Sequence, residues 1–138
     1  MTNKTEVSFT IDDLAPLVAA VDPAGWVNFE PDVEDPPPDP PQGWFGNVFS
    51  SRGPGMPMAT WHPGERSAGL EHPGTSKVDR AEVPVGWVIR QNHPRRGLVV
   101  RVPAEVADAD VLRWLVDLGE KLSPVPTHGK WHAVVFSP

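Results

Sequence analysis

Two β-branched, alternating runs lie at Trp87-Val-Ile-Arg-Gln91 and Leu98-Val-Val-Arg-Val102, joined by Asn-His-Pro-Arg-Arg-Gly. Period-two alternation on either side of a Pro- and Gly-bearing turn is a hairpin signature, so residues 86–102 predict a pair of antiparallel strands. Trp87 and Ile89 then share one face, and Val88 and Arg90 the other. On the return strand Leu98, Val100 and Val102 fall to the core, leaving Val99 and Arg101 outside. Any fold for this chain must accommodate that hairpin, and the remaining elements have to add to its sheet or cover it.

Eighteen prolines and twelve glycines in 138 residues favour stiff turns over long helices. Further strands are predicted at 25–30, 44–49, 56–61, 67–72 and 130–136. In the first of these Val27 and Phe29 oppose Trp26, Asn28 and Glu30. A short helix is predicted before Asp22-Pro23. Either Thr10 caps it with Asp13 three residues on, or it begins at Asp13 and Pro16 sits in the tolerant first turn. A longer helix at about 108–122, capped by Asp108 or Asp110, carries Val111, Leu115, Leu118 and Leu122 as its core stripe. Leu112 and Trp114 flank that stripe, and Pro124 stops the helix. These elements predict a single α+β domain over residues 1–138, an antiparallel-rich sheet with two main helices packed on it; a ferredoxin-like arrangement is one member of that class. Residues 30–43 form an acidic, proline-rich surface loop, extended in the polyproline II manner. Its PxxP spacings, Pro37/Pro40 and Pro38/Pro41, lack the flanking arginine of an SH3-type ligand.

The chain has no cysteine, which excludes disulfides, thiolate metal sites and cysteine nucleophiles. The first eight residues have no apolar core of a secretory signal, and apolar runs are far too short to span a bilayer, so a cytoplasmic protein without membrane contact is expected. Two Ile, and four Lys against eight Arg, suggest a GC-rich bacterial genome. Charge is uneven: residues 1–50 hold nine acids and one lysine, residues 51–138 nine acids and eleven bases, for a net −6. That balance disfavours nucleic acid as a partner, because non-specific binding to it is driven by net positive charge.

Against this acidic background Arg90, Arg95, Arg96 and Arg101 crowd into the hairpin, with His93 beside them. Guanidinium forks hold carboxylate or phosphate, so these five residues are the candidate anion-binding site. Pairing with the acids at 30–39 is the rival use of the arginines. Three histidines precede proline (His62, His72 and His93), which marks strand ends or turns. His128 and His132 have i,i+4 numbering, but Gly129 argues against a helix there. A metal site from His62, His72, His93 and Glu71 has no supporting spacing, and no metal or cofactor is expected. Ser50-Ser-Arg-Gly-Pro-Gly55 reads as a turn and lacks the order of a phosphate loop. The tryptophans belong mainly to the core; Trp44-Phe45, after the proline segment, is the candidate partner contact.

Gly-Trp-Val-Asn-Phe-Glu-Pro (25–31), Phe-Ser-Ser-Arg-Gly-Pro (49–54), Asn-His-Pro-Arg-Arg-Gly-Leu-Val-Val (92–100) and Val-Leu-Arg-Trp-Leu (111–115) together resemble a family of small, uncharacterised bacterial proteins. The resemblance implies no activity, cofactor or catalytic residue. The leading expectation is a non-enzymatic cytosolic protein acting through protein–protein contact or self-association. A binder of a small anionic or phosphorylated ligand is the alternative, and an enzyme using dispersed His and Glu residues comes third.

Overall fold

The computed structural model describes residues 2–33, 55–73, 77–94 and 96–138. Among them are seven strands: β1 (Asn3–Thr10), β2 (Trp26–Pro31), β3 (Met58–His62), β4 (Ser67–Glu71), β5 (Val88–His93), β6 (Gly97–Arg101) and β7 (Lys130–Ser137). They join in one antiparallel sheet in the order β1-β7-β2-β3-β4-β6-β5. Against it, among the described residues, stand a six-residue helix α1 (Ala15–Ala20) and a fifteen-residue helix α2 (Asp108–Leu122), with a 3₁₀ turn at Arg80–Glu82.

This corrects the expected fold class. The chain is sheet-rich, not an α+β domain with two main helices, and a seven-stranded sheet in this order is not ferredoxin-like. Part of the difference lies at the N-terminus. Asn3–Thr10 pairs with β7 at eight positions and turns Val7 and Phe9 toward the core, although Lys4, Thr5 and Glu6 are all polar. An edge strand with one neighbour needs few apolar residues, so this run carried little signal. The other part is α1, which begins after Leu14 with Pro16 in its first turn, as the later of the two predicted starts requires. The Asp13 carboxylate accepts from Ala15 N at 3.1 Å, while Thr10 bridges Asp13 as backbone. Only a few residues remain for helix before Pro23.

One sheet face and α2 enclose the core. Val27, Phe29, Ala59, Trp61, Ala68, Leu70, Leu98, Val100, Trp131 and Ala133 are buried there against Val111, Leu112, Leu115, Val116 and Leu118 of α2. The inward set of the predicted hairpin, Leu98, Val100 and Val102, is fully buried. The helix N-cap is Ala107 and receives no side-chain hydrogen bond, which corrects the expected cap. Asp108 and Asp110 stand in the first turn, where negative charge complements the helix dipole. Gly119 lets α2 approach the sheet: a Cβ there would lie 2.6 Å from Trp131 Cη2. The neighbouring Glu120 carboxylate accepts from Trp131 Nε1 and from Thr127 Oγ1, each at 2.7 Å.

Arg66 ties the two ends of the core together. Its guanidinium lies 5.0 Å from the Trp61 ring centroid and donates to Pro103 O at 2.8 Å and Val106 O at 2.6 Å. It also faces Asp108 at 3.5 Å, so the β3–β4 turn is pinned to the loop that enters α2. Among the described residues no helix is long and apolar enough to cross a membrane.

Candidate functional site

The sheet face opposite α2 is a grid whose rows follow from strand register. Lys4, Phe136, Trp26, His62, Ser67, Arg101 and Val88 form one row across all seven strands. Glu6, Val134, Asn28, Thr60, Gly69, Val99 and Gln91 form the middle row. Across β7, β2, β3 and β4 the third row brings His132, Glu30, Met58 and Glu71 into line, and it reaches Gly97 and His93 at the hairpin tip. Lys4 and Arg101 stand in the first row, Glu6 in the middle row, and Glu30 and Glu71 in the third, so the face is electrically polarised along the strand direction. Within the middle row Thr60 Oγ1 donates to Asn28 Oδ1 at 2.8 Å.

At the β5–β6 end of the first row, Arg90 and Arg101 line a concave pocket of about 440 Å³ with Glu65, Ser67, Gln91 and Val99. A register irregularity makes it. Ile89 pairs with Val100 and Gln91 with Val99, so Arg90 is an extra residue in β5. A β-bulge of this kind re-aims side chains; here Arg90 and Gln91 both reach the outer face, where simple alternation would turn Gln91 inward. Ser67 on β4 stands directly between His62 and Arg101 in register and supplies a small hydroxyl floor. Arg90 and Arg101 are both exposed, and neither has an ion pair among the described residues. Glu65 lines the same pocket, so two guanidiniums there face one carboxylate.

The five predicted site residues do not converge. Arg90 and Arg101 meet in the pocket, but His93 and Arg96 lie at the hairpin tip, where Arg96 N donates to His93 Nδ1 at 3.3 Å. From Arg101 to Gly97 along β6 the separation is roughly 13 Å at the rise of an antiparallel strand. Arg95 lies outside the described residues, as do Trp44, Phe45, the predicted strand at 44–49, the 50–54 part of the turn and residues 34–43 of the proline segment. Of the rival acids at 30–39, Glu30 is on β2, three strands from β6, and Asp32 belongs to a different concavity with Thr127, His128 and Lys130. Among the described residues no three His, Cys, Asp or Glu side chains gather as a metal site, and His72 is buried at the end of β4, away from His62.

Sequence reasoning passed over the aromatic part of the first row. The rings of Phe136 and Trp26 are 4.8 Å apart at 11°, and those of Trp26 and His62 are 5.8 Å apart at 24°. Lys4 Nζ caps the outer end, 5.6 Å from the Phe136 centroid. The placement of Trp26 opposite Val27 and Phe29 was legible; its two ring neighbours, on other strands, were not. No protein-family model, no curated protein and no solved structure matches this chain, so its geometry carries the functional reading.

Proposed function

We propose that this chain is a non-enzymatic cytosolic binder of a small anionic ligand, with Arg90 and Arg101 as the anion-holding groups. One observation carries the reading. A β-bulge brings two arginines, eleven positions apart in the chain, into one concave pocket beside the Ser67 hydroxyl, with no ion pair among the described residues. Guanidiniums suit carboxylate and phosphate through paired N–H donors, and they do not deprotonate at neutral pH, so these groups hold a ligand without acting as bases. Titration with inorganic phosphate and with acetate by isothermal calorimetry tests it. Binding to the native chain, and at least tenfold weaker binding by Arg90→Ala/Arg101→Ala with unchanged circular dichroism, is the expected result. A native chain that takes up neither phosphate nor acetate at millimolar concentration overturns the reading.

Self-association is a second reading, favoured by β1. This strand pairs with β7 at eight positions without a bulge and has no strand on its other side among the described residues. Two copies related by a twofold axis through Thr5 would set Lys4 of each opposite Glu6 of the other, and opposite charges across strands are favourable. Sedimentation velocity checks this reading: a dimer that Lys4→Glu dissociates supports it, and a strictly monomeric native chain removes it.

A further inference from the structure

The aromatic stack and the arginine pocket lie in the same row, with Ser67 between His62 and Arg101 in register and Glu65 at the rim of the pocket. Phe136, Trp26 and His62 stand on neighbouring strands with centroid separations of 4.8 and 5.8 Å and nearly parallel planes. Separations this close to the spacing of adjacent strands, about 4.8 Å, mean that the rings stand upright and face one another across the strands. The stack is closed at one end by Lys4 over Phe136. At its other end is His62: one face meets Trp26, and the other looks across β4 toward β6.

What stands on β4 along that line is small. Its outward residues at this end are Ser67 and Gly69, neither of which reaches the height of the His62 ring. The next tall groups are Arg101 and Val99 on β6, with Arg90 and Gln91 beyond. Two strand spacings, about 9.6 Å, therefore separate the backbone bearing His62 from the backbone bearing Arg101. That gap matches one flat ring standing over Ser67 as the next member of the stack. A substituent on such a ring lies in the ring's own plane above β4, and the long side chain of Arg101, one strand spacing away, reaches back to it, with Arg90 beside it in the pocket.

We infer that the ligand is an aromatic ring bearing a carboxylate or phosphate, which stacks on the face of His62 turned away from Trp26, above Ser67, and places its anionic group on Arg90 and Arg101. The inference rests on the anion-binding reading and adds the ring. Charge complementarity selects the substituent, and the unfinished stack selects the ring. Stacking of a planar ring on an aromatic side chain is favourable, and here the ring adds roughly tenfold to the affinity of the anion alone.

Calorimetric titrations with inorganic phosphate, phenyl phosphate, benzoate and acetate decide it, on the full native chain and on His62→Ala and His62→Phe. Phenyl phosphate binding about tenfold more tightly than phosphate, or benzoate about tenfold more tightly than acetate, is expected, and the stronger pair shows which anion the pocket takes. His62→Ala should bring each aromatic probe to within about twofold of its non-aromatic partner while phosphate affinity holds. His62→Phe should restore the advantage, which a merely structural role for His62 would not predict. If phosphate or acetate binds and neither aromatic probe is tighter than its non-aromatic partner, the ring is refuted and the anion site stands. If no anion binds, both readings fall. An aromatic advantage that survives in a folded His62→Ala protein also refutes the stacking site. Should His62→Ala fail to fold, an advantage absent from His62→Phe refutes it equally.

Discussion

Gly119→Ala sets two well-measured effects against each other, and the structure decides the sign. In a solvent-facing helix the change stabilises by about 1 kcal/mol, since Gly is the poorest non-proline helix former. In α2 the new Cβ would stand 2.6 Å from Trp131 Cη2 and 3.1 Å from Cζ2. Carbon pairs sit comfortably at roughly 3.5–4.0 Å, so about 1 Å must be found. Trp131 cannot easily provide it. The ring is 1% exposed, packs against Phe9 and Phe29, and is held by the 2.7 Å bond from Nε1 to Glu120. Overpacking of this kind costs about 1–3 kcal/mol, and loosening a hydrogen bond to a charged acceptor adds about 1.5–3 kcal/mol if the ring does turn. The clash wins, with a net loss of about 1–3 kcal/mol. For a chain of this length that lowers Tm by roughly 3–12 °C. Urea unfolding followed by circular dichroism measures the loss. The same substitution in a Trp131→Phe background should be neutral or stabilising, because the clashing six-membered portion of the indole is gone. A Gly119→Ala protein as stable as the native chain, or an equal loss in both backgrounds, refutes the argument.

Arg66→Ala should cost about 3–5 kcal/mol by urea unfolding, since it strips two charge-assisted bonds to Pro103 O and Val106 O and a cation from the Trp61 face. Arg66→Lys should recover less than half of that, because an ammonium does not reproduce the planar fork; full recovery would show that charge alone matters. Glu65→Gln should tighten phosphate binding about two- to fivefold at low salt by removing the carboxylate from the pocket. That gain should shrink in 0.5 M NaCl, where such exposed charges are screened, and weaker binding by the variant would place the anion elsewhere.

What was legible in the sequence is what alternation within a single strand dictates. The inward set Leu98, Val100 and Val102, the opposed faces of β2, the last strand and the 108–122 helix all follow from local periodicity, and the structure has them. What was not legible depends on a partner far along the chain. Arg66 matters because carbonyls 37 and 40 residues later come within hydrogen-bond distance of it. Gly119 matters because Trp131 stands on the strand beneath the helix. The run at 3–10 becomes a strand because β7 offers an edge to pair with, which its own two inward apolar residues hardly announce. Counting helical runs without that strand tilted the expectation toward α+β.

The arginines show the same logic in reverse. Four of them within twelve residues suggest one cluster, yet a strand spreads four residues over roughly 13 Å while register brings residues on adjacent strands to about 5 Å. Proximity on a sheet is set across strands, so the pocket gathers Glu65 and Ser67 from the β3–β4 region and leaves His93 and Arg96 at the tip. The bulge at Arg90 is the local event on which that gathering depends, and it can be removed cleanly. With Arg90 deleted, Ile89 and Gln91 become successive residues already paired with Val100 and Val99, so no other side chain has to change face. The deletion should leave the sheet folded, with a stability change of no more than about 1–2 kcal/mol, since the bulged residue makes no ladder pair of its own. Phosphate affinity should fall at least as far as in Arg90→Ala, which keeps the bulge and loses only the charge. A deletion variant that binds phosphate like the native chain would show that Arg101 holds the anion without Arg90. One that fails to fold would show that the bulge belongs to the architecture of the sheet edge and not to the site.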